Sequence, residues 1–272
     1  MVKFRRKTVT LSDFWISSSE KLSDFYALSW QHGDSAIPLL VLRGILASVA
    51  VGILIWSLVD ASHAYWLIYL TNWAMALVAF MMTCALAVSC VAVSKKGFDT
   101  YTEELPWFVS MYWFVFNIAV TVALMVTTLY WILIYNPDSY WEDCTWSMFA
   151  LDISSHAVVS VIALLELVLS RTPVLMLHIY QPLGVALWYV AFTAIYYAAG
   201  GTDGNGNPFI YEVLDWQQGK RAGMIASLGL IGVIIVYTIL WGIALCRDKV
   251  STAIFRSTSH NLPNAGRHAN GV

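Results

Sequence analysis

The stretch from Thr145 to Ser170, TWSMFALDISSHAVVSVIALLELVLS, combines a long apolar run with three ionisable side chains, Asp152, His156 and Glu166. At ~100° per residue, Asp152 and His156 lie about one turn apart on the same face of a helix. An imidazole exchanges protons near neutral pH, and a carboxylate one turn away can orient one of its ring nitrogens. The pair is therefore half of a nucleophilic site, a general base with its orienting group.

The missing half is a hydroxyl, and Thr71 in the sequence YLTNW is the candidate from another apolar run. At ~1.5 Å per residue, Thr71 lies ~9 Å into its run, and Asp152 and His156 lie ~10 and ~16 Å into theirs, counted from the same side. The three side chains can thus share one cavity, with Thr71 as nucleophile, His156 as general base and Asp152 as orienting group. The alternative for Thr71 is structural, because a threonine in a membrane helix commonly bonds the carbonyl four residues earlier.

Glu166 lies deeper along the same run and is expected to have a different partner. Arg43 lies about as far from the opposite end of the first apolar run as Glu166 does from the end of its own. Charged groups within a membrane normally pair with one another. We therefore predict a structural ion pair between Arg43 and Glu166, which fixes the register of two helices.

The composition indicates a multi-pass membrane protein. Of the 272 residues, 59% are hydrophobic and only 12% are charged, with a mean hydropathy of +0.66, whereas soluble domains have about 25% charged residues. The net charge of -2 provides no basic surface for nucleic acid. The four cysteines have no CxxC spacing, so we expect no metal site and no cofactor. Cys246, beside Arg247 at the end of the last run, is a candidate for palmitoylation.

Six apolar runs are long enough to cross ~30 Å of hydrocarbon. They cover residues 37–59, 65–93, 106–135, 145–170, 173–200 and 221–246. The predicted fold is therefore all-α, a polytopic membrane bundle of six transmembrane helices.

The flanking charges predict the orientation of this bundle. Most of the flanking lysine and arginine residues lie on the side of the two termini, whereas the other side has only Lys220 and Arg221. By the positive-inside rule, both termini are cytosolic. The chain then divides into a cytosolic segment, 1–36, a membrane domain, 37–246, and a cytosolic disordered tail, 247–272. Within the first segment, apolar residues spaced as on an amphipathic helix, such as Leu11, Phe14 and Trp15, favour an interfacial helix, with a loosely ordered tail as the alternative.

Three sequence blocks resemble the rolling stone family of animal membrane proteins. They are YWLIYLTNW at 65–73, LELVLSRTPVLMLHIYQP at 165–182 and IYYAAGGTDGNGNPFIYEVLDW at 195–216. The resemblance implies a multi-pass plasma-membrane protein with a role in myoblast fusion during muscle development. An endomembrane location is the alternative.

That family is similar, more distantly, to the androgen-induced membrane hydrolases, which cleave fatty-acid esters of hydroxy fatty acids with a threonine and a histidine. The threonine of that family lies in a YLT sequence and matches Thr71, and its histidine matches His156. The chain departs from the pattern directly after the histidine, where HAVV, with Ala157 to Val159, replaces the expected glycine and asparagine.

Three functions remain open from the sequence. The first is a surface protein that acts in cell fusion through the loop 200–219 and partner proteins at the cell surface. The second is an intramembrane hydrolase of lipid esters that uses Thr71, His156 and Asp152, with membrane lipids as its surroundings and source of substrate. The third and least favoured is an ion carrier that uses Asp152, His156 and Glu166, because the other spans provide few polar residues to continue the path.

Overall fold

A computed structural model describes residues 21–60, 63–94, 105–135 and 145–256 of the chain. Its α-helices are α1 (Ile37–Asp60), α2 (Leu70–Ser94), α3 (Trp107–Leu129), α4 (Trp146–Ile153), α5 (Val159–Leu169), α6 (Tyr180–Ala198) and α7 (Gly219–Ser251). A π-helical turn, Ser154–Val158, joins α4 and α5 into one rod, and two others, Tyr130–Ile134 and Thr252–Arg256, extend α3 and α7. The described residues thus contain six helical spans long and apolar enough to cross a membrane, which confirms the predicted all-α bundle.

Three span boundaries differ from the prediction by five residues or more. The second helix begins at Leu70 instead of 65, because His63–Ile68 forms a 3-10 helix across the end of the bundle. Side-chain hydrogen bonds hold that segment: Trp66 Nε1 donates to Ser57 Oγ at 3.0 Å, and Asn72 Nδ2 donates to the Trp66 carbonyl at 2.6 Å. The fifth span begins as a 3-10 helix, Met176–Ile179, so that α6 starts at Tyr180 instead of 173. In the last span, α7 continues past 246 to Ser251.

The central helix of the bundle is α3. In its most apolar stretch 56% of the residues are buried, against 22–44% in the other spans. The outer helices expose large apolar side chains such as Ile45, Phe80 and Ile235. Lipid tails can cover such side chains, and all backbone polar groups of a helix are satisfied internally, so these faces suit a bilayer.

Arg43 and Glu166 meet in the core, and both side chains are fully buried. Arg43 Nη2 lies 2.6 Å from Glu166 Oε1, and the Tyr112 hydroxyl donates to the same oxygen at 2.7 Å. Arg43 Nη1 donates to the carbonyls of Phe25 and Ala85 and to Ser89 Oγ, and Nε donates to the Glu166 carboxylate. These contacts join α1, α2, α3, α5 and the segment that precedes α1.

The chain segment before α1 packs against the bundle where it is described. Leu22 and Phe25, in a short 3-10 helix, are buried, and Ser29 N donates to the Leu169 carbonyl at 2.7 Å. Arg171 Nη1 lies 2.5 Å from Asp34 Oδ1. Leu11, Phe14 and Trp15 of the predicted interfacial helix lie outside the described residues, as do positions 257–272 of the tail.

Candidate active site

Thr71 and His156 lie within hydrogen-bond distance at one end of the bundle. Thr71 Oγ1 is 3.2 Å from His156 Nε2. Because α2 begins at Leu70, the carbonyl four residues before Thr71 belongs to Leu67 in the preceding 3-10 helix, and it accepts from Trp73 Nε1 at 2.7 Å. The Thr71 hydroxyl faces the imidazole instead.

His156 lies on the π-helical turn Ser154–Val158 between α4 and α5. Single π turns interrupt the regular hydrogen bonding of a helix and occur frequently at functional sites. Here Thr127 Oγ1, on α3, donates to the His156 carbonyl at 2.6 Å and lies 2.6 Å from Ser160 Oγ. The neighbouring helix α3 thereby holds the backbone of the histidine turn in place.

Asp152 orients the imidazole from one turn earlier. His156 Nδ1 lies 3.0 Å from Asp152 Oδ1 and 3.0 Å from the Asp152 carbonyl oxygen. Both are acceptors, so the proton of a neutral ring belongs on Nδ1. Nε2 is then unprotonated and can accept the proton of Thr71 Oγ1, as a general base must.

Tyr130 contacts both the carboxylate and the imidazole. Its hydroxyl donates to Asp152 Oδ2 at 2.6 Å, and its ring stacks on the His156 ring with 3.6 Å between centroids and 12° between planes. The two Asp152 oxygens are thus divided between Tyr130 and His156. This second contact restricts rotation of the carboxylate and of the ring that it orients.

Tyr211, in the connection between α6 and α7, approaches Thr71 from another side. Its oxygen accepts from Leu70 N at 3.0 Å and interacts with Thr71. Burial raises the pKa of Tyr211, so its phenol stays protonated and can donate a hydrogen bond. The positive end of the α2 dipole also points toward Thr71. Both features favour negative charge that develops beside the threonine.

An apolar cavity of about 130 Å³ opens beside Thr71. Its walls come from α3, α6 and α7 and include Val122, Met125, Val185, Ala226, Gly229 and Leu230. Along α3, the lining from Leu129 to Val122 covers ~10 Å of helix. No charged residue among the described ones lines this cavity. A hydrocarbon chain that enters it would end at the Thr71 hydroxyl.

The structure brings together three of the five residues singled out in the sequence and separates the other two. Thr71, Asp152 and His156 form one constellation, whereas Glu166 pairs with Arg43 ten residues further along the same rod. A proton path that includes Glu166 would have to pass the fully buried ion pair. The sequence therefore yields two sites with separate roles.

Sequence reasoning missed Tyr130 and Tyr211. Tyr130 lies about five residues from the end of its predicted run, ~8 Å deep and close to the level of Asp152. Depth along the run therefore gives its level in the membrane but not its contact with His156. Tyr211 lies in a connection rich in turn residues, and no helical periodicity relates it to Thr71.

These observations define the class of protein: a polytopic helical membrane protein with a Thr–His–Asp constellation at the end of an apolar cavity. The family model described as "Protein rolling stone" matches residues 2–260, and the chain belongs to this family. Among curated proteins, it is similar to "Protein rolling stone" of Drosophila melanogaster, with 27% identity over 228 residues, which cover 79% of this chain and 80% of the relative. No solved structure matches the chain significantly.

Proposed function

We propose that this protein is an intramembrane hydrolase of lipid esters. The observation that supports it most strongly is the 3.2 Å separation of Thr71 Oγ1 and His156 Nε2, with Asp152 on the other ring nitrogen. A hydroxyl, a base and an orienting group in this order form the general arrangement of covalent acyl transfer.

The reaction proceeds through an acyl-threonine. Thr71 Oγ1 attacks the ester carbonyl carbon while His156 Nε2 accepts the hydroxyl proton. The carbon–oxygen bond to the alcohol breaks, and His156 returns the proton to the departing alcohol. A water molecule, deprotonated by the same nitrogen, then attacks the acyl-threonine, releases the fatty acid and restores Thr71.

The apolar cavity is the proposed acyl-chain site, because it ends at Thr71 and has apolar walls. Fatty-acid esters of hydroxy fatty acids, implied by the distant resemblance, are one class of ester to assay. A chain in this cavity would place its ester carbonyl beside the Thr71 hydroxyl and the Tyr211 phenol. Thr71 would then attack the carbonyl carbon and Tyr211 would stabilise the oxyanion, without a rearrangement of either residue.

A larger side chain at Gly229 is expected to shorten the acyl chains that the protein accepts. Gly229 lines the cavity, and a Cβ there meets no atom within 4 Å, so Gly229→Phe fills the cavity without a backbone clash. We expect the rate for a palmitoyl ester to fall by about tenfold or more, since a blocked pocket loses the burial of several methylene groups. The rate for a butyryl ester should remain unchanged. Hydrolysis by purified protein in maltoside micelles measures both.

Gly223→Phe is the matched control for this substitution. Gly223 lies on the same helix, also has open space at its Cβ position, and does not line the cavity. It should leave both rates unchanged. Equal loss of the two rates in Gly229→Phe, or no loss, would exclude the cavity as the acyl-chain site.

From the family membership we also propose a plasma-membrane location and a role in myoblast fusion. The connection 200–219 supports a surface for partner proteins, because it is exposed in part and its turns are held by hydrogen bonds. Positive-φ glycines form its turns, at Gly200 and Gly206, and Asp203 accepts from Asn205 N at 2.9 Å and Asn207 N at 2.7 Å.

The fusion role can be separated from the chemistry. A whole-loop exchange would also move Tyr211, so alanine at the exposed positions Glu212, Gln217 and Gln218 is the cleaner change. If the loop binds a partner protein, these substitutions lower the fraction of nuclei in fused myoblasts, and Thr71→Ala does not. Loss of fusion with Thr71→Ala alone would assign that role to ester hydrolysis instead.

A further inference from the structure

A second cavity, of about 410 Å³, lies next to the candidate active site. It shares no lining residue with the apolar cavity, but its walls include Tyr69 and Asn72, on either side of Leu70 and Thr71, and Leu151, which precedes Asp152. Wall residues of both cavities therefore lie within one helical turn of Thr71. The volume is within the usual range of ligand pockets.

The walls of this second cavity combine aromatic rings with a carboxylate. Tyr65, Trp66 and Tyr69 line it together with Asp60, and the amides of Asn72 and Asn205 complete the polar surface. No lysine, arginine or histidine is among the described residues of the wall. Aromatic faces and a carboxylate attract cations, and aromatic cages are a common way to bind quaternary ammonium groups.

A second fixed negative charge lies close behind the wall. Asp203 precedes the wall residues Gly204 and Asn205, and its charge acts on Tyr69. Burial alone would raise the pKa of Asp203, but hydrogen bonds from Asn207 and from the backbone of Asn205 outweigh it and lower the pKa. This carboxylate is therefore ionised at neutral pH.

The described residues at this end of the bundle are predominantly acidic. They are Asp60, at the end of α1, and Asp203, Glu212 and Asp215 in the connection α6–α7. Among the described residues of these segments, Lys220 and Arg221, at the start of α7, carry the opposite charge. A field of one sign concentrates ligands of the other sign and repels those of its own.

We propose that the second cavity binds a cationic alcohol part, of the quaternary ammonium type, in the ester that Thr71 cleaves. This inference rests on the proposed hydrolysis and specifies its substrate class. An ester with a carboxylate in its alcohol part would bring that charge toward Asp60 and is disfavoured, so this proposal expects fatty-acid esters of hydroxy fatty acids to be poor substrates. Cleavage releases the amino alcohol, which takes its proton from His156, into the polar cavity.

Three esters with the same acyl chain test this selectivity in neutral maltoside micelles at pH 8. They are palmitoylcholine, its uncharged isostere 3,3-dimethylbutyl palmitate, and the anionic 4-palmitoyloxybutanoate. We expect kcat/KM to be highest for the cationic and lowest for the anionic ester, with about fivefold between the first two, as one carboxylate at ~4–5 Å in a wet cavity provides. Asp60→Asn should reduce this ratio toward one, and high salt should reduce it in the wild type.

Glu212→Gln is the matched control, because Glu212 is an exposed carboxylate at the same end that does not line the cavity. It should leave the ratio unchanged. Equal kcat/KM for the three esters, or a ratio that Asp60→Asn leaves unchanged, would overturn the cation site in the second cavity. The hydrolase proposal would still stand.

Binding of ethers that cannot be hydrolysed tests the cation site in the second cavity independently of the proposed reaction. The Thr71→Ala protein should bind the choline hexadecyl ether several-fold more tightly than the 3,3-dimethylbutyl hexadecyl ether, measured by tryptophan fluorescence, and Asp60→Asn should remove the difference. If no ester is hydrolysed by the wild type but this difference is found, the hydrolase proposal fails and the cavity remains a cation-binding site. Equal affinity for the two ethers would overturn the cation site in the second cavity.

Discussion

Thr71→Ala and His156→Ala are each expected to lower ester hydrolysis by about 10³-fold or more, because each removes one member of a unit that acts together. In the proposed reaction, Thr71 Oγ1 is the nucleophile and His156 Nε2, 3.2 Å away, is the base. Since neither group functions without the other, the double variant should be no slower than the single ones. Initial rates with purified protein and a palmitoyl ester measure these losses.

Conservative variants distinguish chemistry from folding at this site. Thr71→Ser keeps a hydroxyl and should retain most of the activity. Asp152→Asn can present its amide to Nδ1 and favour the wrong tautomer, so we expect a large loss of kcat with little change in KM. Tyr130→Phe keeps the ring stack on His156 and loses only the bond to Asp152 Oδ2, so its effect should be smaller. An unchanged rate in Thr71→Ala would remove the proposed nucleophile.

Loss of one partner of the buried ion pair should have the largest effect on stability. Glu166→Ala leaves the Arg43 guanidinium buried without its carboxylate, and such a change typically costs about 3–5 kcal/mol. For a chain of this size, the apparent Tm should then fall by on the order of 10 °C. Thermal unfolding in micelles, followed by the loss of the monodisperse peak in size-exclusion chromatography, measures the shift.

The double variant Arg43→Met/Glu166→Leu is the control for this prediction. Replacing both charges by apolar side chains removes the desolvation penalty together with the attraction, and such exchanges are often neutral or stabilising. Because Arg43 also donates to the carbonyls of Phe25 and Ala85, part of the loss will remain. A double variant that unfolds at a lower temperature than Glu166→Ala would contradict the role of the pair as coupled charges.

The six-helix bundle could be predicted from the sequence because a long apolar run crosses a bilayer as a helix. Each run closes its backbone hydrogen bonds as a helix, so run length alone predicts the six spans. Boundaries were less accurate where aromatic residues dominate. Residues 65–69 are apolar enough to extend a span, but the bonds of Trp66 and Asn72 keep the segment outside α2.

The site could be predicted in part, for a physical reason. The i, i+4 relation of Asp152 and His156 is local, and depth along a helix places Thr71 near them without knowledge of the packing. Depth cannot show which helices are neighbours, nor that a π turn interrupts the rod at His156. The stack of Tyr130 on His156, the approach of Tyr211 and the two cavities all depend on tertiary packing. These contacts and cavities therefore could not be predicted from one sequence.

The two cavities differ in polarity, as the two parts of the proposed substrate do. In the proposed reaction, the apolar cavity binds the acyl chain and the polar one binds the alcohol part. Under the predicted orientation, with both termini cytosolic, the site opens at the outer side of the membrane. Its lipid substrates would then come from the outer leaflet.

The most direct test of the central claim is to map the residue that an active-site-directed fluorophosphonate modifies. The purified protein is labelled with the probe in micelles, digested, and analysed by peptide mass spectrometry. We expect a phosphonyl adduct on Thr71, which is absent in the His156→Ala protein because the base no longer activates the hydroxyl. An adduct on another residue, or labelling that persists in Thr71→Ala, would contradict it.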